Sequence, residues 1–168
     1  MKMVFEHGAW ALLGAIDGAS AHLAEQVALV IETDEIVPEP TEADPAPAPP
    51  RHYWRSLTYD AYTGRGWLTA DTTPQTYDAG EAAISAEIPG RRLLHQTVQV
   101  IDPGRSRIYA AGELVTANQE YTINWRSGAD PFAATIEAAT YQVDSLVPVV
   151  GEADLRAAGA NYPDWVSR

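Results

Sequence analysis

The chain has 168 residues and a formal net charge of -12, set by 23 acidic side chains against 11 basic ones. Such a balance argues against nucleic acid and anionic membrane surfaces as partners, because phosphate groups need cationic contacts. With no cysteine in the sequence, disulfides, thiol nucleophiles and thiolate-bound metals are excluded.

A chain of this length is expected to form one domain, residues 1–168, with a core of its own. Its acidity is concentrated at the start. Residues 1–50 carry nine acids and one base, Lys2, whereas all ten later bases are arginine. Five Trp and eight Tyr outnumber two Phe. Most rings therefore carry a polar handle, which suits sheet positions that are packed on one edge and wet on the other.

The opening has one lysine before the apolar stretch Ala9–Ala15, as in a weak signal peptide, but no convincing cleavage site follows. No run is long enough to span a bilayer, so no direct membrane insertion by this segment is expected. A short amphipathic helix is expected over Ala9–Ala21, weakened by Gly14 and Gly18. Val27–Glu32 reads as a strand. Six prolines fall within the thirteen residues 38–50, which excludes a ladder or a helix there. This segment is expected to be an exposed loop or tether within the domain, in extended polyproline conformation.

From Arg51 onward the pattern is strand after strand. Tyr53–Tyr62 alternates and is expected as one strand. Thr63-Gly64-Arg65-Gly66 turns the chain, and Trp67-Leu68-Thr69 begins the return. Residues 71–92 are polar and alanine-rich, the composition of a long loop. Strands follow at Leu93–Ile101, Ile108–Ala110, Leu114–Thr116, Tyr121–Arg126, Phe132–Ala138 and Tyr141–Val147, with turns at Asp102-Pro103-Gly104 and Ser127–Pro131. Residues 152–158 are expected as a short helix ending at Gly159. About eight strands separated by turn signals predict an all-β fold, an antiparallel sandwich or open barrel, with short helical turns near the termini.

Catalytic signatures are sparse. His7, His22, His52 and His95 have no metal-ligand spacing, so no metal site is expected, and no cofactor fingerprint occurs. Asp60 and Glu113 are two of many carboxylates that a glycosidase-like pair would need, but spacing alone cannot bring them together. The most distinctive cluster runs through Tyr53, Trp54, Arg55, Tyr59, Asp60, Tyr62, Gly64, Arg65, Gly66 and Trp67, with Tyr53, Trp54, Arg55, Tyr59, Asp60 and Trp67 as its candidate residues. Rings at these positions suit either a sugar-binding platform or cross-strand packing that pins a hairpin. The packing role is the expectation, with Trp54 and Trp67 meeting across the glycine turn and Asp60 the carboxylate nearest Arg55 in sequence.

The stretch Tyr-Trp-Arg-Ser-Leu-Thr-Tyr-Asp-Ala-Tyr-Thr-Gly-Arg-Gly-Trp at 53–67 resembles the segment that precedes the catalytic core in bacterial membrane-anchored transglutaminase-like proteins. Val27–Glu32, Tyr109–Val115, Tyr141–Pro148, Leu155–Ala158 and Tyr162-Pro163 are similar to that region in the matching order. The resemblance covers about residues 27–165 and is specific only at 53–67. It implies a non-catalytic β-region on the extracytoplasmic side, tethered through the membrane helices of a longer parent. In that family it is followed by a papain-like core that uses Cys, His and Asp. The nucleophilic Cys is missing here, so no catalytic residue carries over and the chain itself is not expected to be an enzyme. Its expected partner is the downstream transglutaminase-like core, which it would position or shield, with Tyr162 and Trp165 at the interface. The alternative is an independent carbohydrate- or peptide-binding β-sandwich module.

Overall fold

A computed structural model describes residues 2–6, 9–12, 27–36, 39–46, 51–101, 106–127 and 130–159. The fold is all-β, built from antiparallel sheets that do not close into a barrel. The larger sheet contains β1 (Lys2–Glu6), β2 (Ala9–Leu12), β3 (Val27–Thr33), β8 (Arg91–Val100), β10 (Glu113–Ala117) and β13 (Thr140–Pro148), in the order β10-β13-β8-β3-β1-β2. The smaller sheet lines up β12 (Asp130–Ile136), β11 (Tyr121–Ser127) and β7 (Thr73–Tyr77). Two short pairs complete the described strands. One joins β4 (Trp54–Arg55) to β9 (Ala110–Ala111), and the other joins β5 (Ala61–Tyr62) to β6 (Trp67–Leu68).

The core follows from period-two alternation. Ile31, Val98 and Tyr141 are register partners across β3, β8 and β13, and all three are fully buried. Tyr121, Ile123 and Trp125 alternate on β11 and pack into the same core from the smaller sheet. The two sheets thus form the layers of a sandwich, and each buried aliphatic side chain adds about 1.5–3 kcal/mol. Polar handles within it are bonded. The Tyr141 hydroxyl accepts from the Tyr109 N–H at 2.8 Å and donates to the Arg107 carbonyl at 3.2 Å. Tyr77 stacks on Tyr121 and accepts a hydrogen bond from Trp125 Nε1 at 3.1 Å.

Three expectations are corrected. Ala9–Leu12 is strand β2, not the start of a helix, because it pairs with β1; residues 13–21 lie outside the described residues. The expected loop 71–92 contains β7, whose only buried side chain is Tyr77, so it shows no hydrophobic alternation. Its proline, Pro74, is tolerated because β7 is an edge strand. Tyr53–Tyr62 is not one strand. Trp54 and Arg55 pair with β9, Leu57 then bridges to Ala133, and the Thr58 N–H reaches the Phe132 carbonyl. The segment switches partners as it crosses the open side of the sandwich.

Residues 39–46 of the proline-rich segment are exposed, as expected of a loop. A turn at Thr41–Asp44, closed by the Thr41 N–H on the Asp44 carbonyl at 2.9 Å, interrupts the expected extended conformation. The short helix α1 occupies Glu152–Ala157, and Asp154 accepts a hydrogen bond from the Gly151 N–H at 2.8 Å.

Candidate functional site

The hairpin β5–β6 stands apart from both large sheets. Its turn is set by Thr63, whose N–H donates to the Gly66 carbonyl at 2.9 Å and whose hydroxyl oxygen accepts from the Gly66 N–H at 3.2 Å. Gly64 takes φ +82, a conformation that favours glycine. Tyr62 and Trp67 are register partners with ring centroids 5.1 Å apart, yet they remain 62% and 60% exposed. Leu68 beside them is 57% exposed. Among the described residues, none of these three large apolar groups belongs to a buried cluster.

Arg126, reaching out of β11, holds the base of this hairpin. Its guanidinium donates to the Thr58 carbonyl, to Thr58 Oγ1 at 3.0 Å and to Thr69 Oγ1 at 3.3 Å. It also binds Asp130 in a two-point pair at 2.8 and 2.6 Å. That bond raises the Arg126 pKa and holds the Asp130 carboxyl below its usual range. Asp60 lies 3.8 Å from the same guanidinium and accepts from the Ala70 N–H at 3.2 Å. Both chain ends of the hairpin are therefore fixed from one strand of the smaller sheet.

The six candidate residues at 53–67 separate into different environments. Trp54 pairs on β4, packs against the core and meets the His52 ring edge-on at 6.0 Å. Arg55 donates to the Gly112 carbonyl at 2.5 Å, and burial lowers its pKa while Glu113 opposes that shift. Tyr59 is half-exposed against Phe132, Tyr53 is almost fully exposed, and Trp67 belongs to the hairpin. Trp54 therefore does not meet Trp67 across the turn, and the partner of Trp67 is Tyr62. Nor does Asp60 serve Arg55; its arginine is Arg126. The physical reason is the partner switch at Ser56–Leu57, which carries residues before and after it to different places.

Beneath the crossing segment lies a mostly apolar cleft of about 60 Å³, lined by Leu57, Ile108, Leu114, Ile123 and Phe132, with Arg55 and Glu113 among its polar groups. Glu113 also pairs with Arg91 at 2.7 Å, so Asp60 and Glu113 are each engaged by different arginines.

His52 and His95 sit in separate ion-pair settings. His52 Nε2 is 2.5 Å from Glu35, whose other oxygen pairs with Arg92. Burial lowers the His52 pKa, and the Glu35 carboxylate it meets is also paired with Arg92. His95 Nδ1 lies 2.5 Å from Asp144, whose hydrogen bond raises its pKa. Among the described residues, no three His, Asp or Glu side chains gather as metal ligands. His7, His22, Tyr162 and Trp165 lie outside the described residues.

Compared with known proteins, the chain matches no family model, no curated protein and no solved structure.

The sequence placed Tyr62 in the aromatic cluster but not among the six candidate residues, and it did not single out Leu68 or Arg126. A signal for Arg126 was available, because Arg126 precedes the expected turn at 127–131 and the oppositely charged Asp130 lies within it. Its hold on Thr58 and Thr69 had no such signal, since those residues are distant in sequence.

Proposed function

We propose that this chain is a non-catalytic recognition domain of an extracytoplasmic transglutaminase-like membrane protein. It controls what reaches the adjacent Cys-protease-like core and is tethered through the parent's membrane helices. The observation that carries the reading is the hairpin at 61–68. All of it but Leu68 falls within the one stretch that specifically resembles the region preceding such cores, and it leaves Tyr62 and Trp67 largely exposed to solvent. Exposed rings on a braced support are suited to contact, not to packing.

The test is to read the full reading frame that encodes the chain and, if it holds a core, to measure that core's turnover with and without this domain. Hydrophobic spans upstream, a Cys, His and Asp core downstream, and altered substrate selection when the domain is removed are expected. A reading frame without such a core would overturn the proposal. The second reading, an independent carbohydrate- or peptide-binding module, draws on the same exposed rings and needs no neighbouring core.

A further inference from the structure

We infer that the β5–β6 hairpin is a saccharide-binding site, and that its ligand is a neutral pyranose oligosaccharide stacked on Trp67 and Tyr62. This rests on the recognition reading and names the class of what is recognised. The two rings lie 5.1 Å apart at an interplanar angle of 46°, and each keeps about three-fifths of its surface open. An aromatic face carries negative quadrupole density. A pyranose offers it a matching face of weakly positive C–H groups, with hydroxyls around the rim. Arg65 lies in the exposed turn between the two rings in sequence, and its guanidinium is a hydrogen-bond donor of the kind sugar hydroxyls accept.

Charge and area select the occupant. A chain with net charge -12 repels polyanions, which disfavours phosphorylated or uronic-acid polymers and anionic lipid. Tyr62 and Trp67 together offer a few hundred Å² at about 150–250 Å² per ring. A stable protein interface needs about 800 Å² from each partner. A stacked sugar needs no more than the ring faces. The support is also rigid in advance, because Arg126 ties Thr58 and Thr69, and Thr63 fixes the turn. That lowers the ordering cost of binding.

The experiment applies the purified 168-residue chain to an array of neutral β-1,4-glucan, N-acetylglucosamine and mannan oligosaccharides, with polyuronates beside them. Tryptophan emission is then titrated with the retained series. Retention on at least one neutral series is expected. Trp67→Ala should weaken it about tenfold or more, equivalent to about 1.4 kcal/mol, and Tyr62→Ala should weaken it less. Both variants should melt with the wild type, since neither ring is buried. Retention on polyuronates alone, or no retention on any neutral series, would overturn the saccharide assignment. So would retention that survives both substitutions in folded protein. If sugars fail while removal of the domain still changes substrate selection by the core, the recognition reading stands and only its ligand class is wrong.

Discussion

At the scale of single residues, two tryptophans of the same sequence cluster do different work. Trp54 packs against buried Leu94, Ala111 and Val147 as well as the main core, whereas Trp67 is 60% exposed. Trp54→Ala is expected to cost about 2–3 kcal/mol, somewhat less than a fully buried ring. Trp67→Ala should stay within about 0.5 kcal/mol of wild type, as surface substitutions do. Urea melts of both variants check this, and equal destabilisation would contradict the separation described. The histidines differ in a similar way. His95 has its pKa raised by Asp144, so its contribution to stability is complete below about pH 6.5 and is lost as pH rises through the higher folded value. His52 is lowered by burial, so its effect runs the other way: folding loses stability as pH falls below the ordinary histidine value toward the lower folded one. An NMR titration should place the two imidazoles on opposite sides of the unfolded value. His95→Gln should remove the downward slope in stability that His95 contributes above that value.

At the scale of elements, β9 is held in place by a backbone contact and a buried amide. Gly112 follows β9 at φ +72, and a Cβ there would collide with the Leu146 carbonyl of β13. The Ala111 N–H is satisfied by Gln96 Oε1 at 2.9 Å, and Gln96 Nε2 donates to Ser145 at 2.6 Å. Gly112→Ala must therefore relieve both a backbone strain and a clash, and should cost about 3 kcal/mol or more. It should also disturb Arg55, which donates to the Gly112 carbonyl. A reduced urea midpoint with greater solvent exposure of Trp54 fluorescence is the expected result. The hairpin gives a complementary prediction. Arg126→Ala leaves the Thr58 carbonyl and Thr69 hydroxyl without their guanidinium donor, at a cost of about 1–3 kcal/mol. Limited proteolysis should then cut first within residues 59–70. Unchanged cleavage would show that the brace is dispensable.

At the scale of the whole molecule, the sandwich was legible in the alternation of β8, β11 and β13. Val98, Ile123 and Tyr141 fall on the buried face that period two assigns them. Gly64–Gly66 likewise marked the turn of the hairpin, and 152–158 marked α1 within a residue. Those features depend on neighbours in sequence, and local stereochemistry is enough to specify them. Three others required the assembled sheets. β7 formed because β11 offered an edge to a segment with little apolar pattern of its own. Trp54 and Trp67 parted because residues 54–58 exchange β9 for β12 as partner. Arg126 became the anchor of the hairpin because β11 brings it beside Thr58 and Thr69. By itself the sequence determined the fold class, the glycine turn and the absence of a thiol, all of which depend on residue identity and short-range order. Which rings face the core and which face water was decided only by tertiary structure, because burial depends on what distant strands place on either side of a residue.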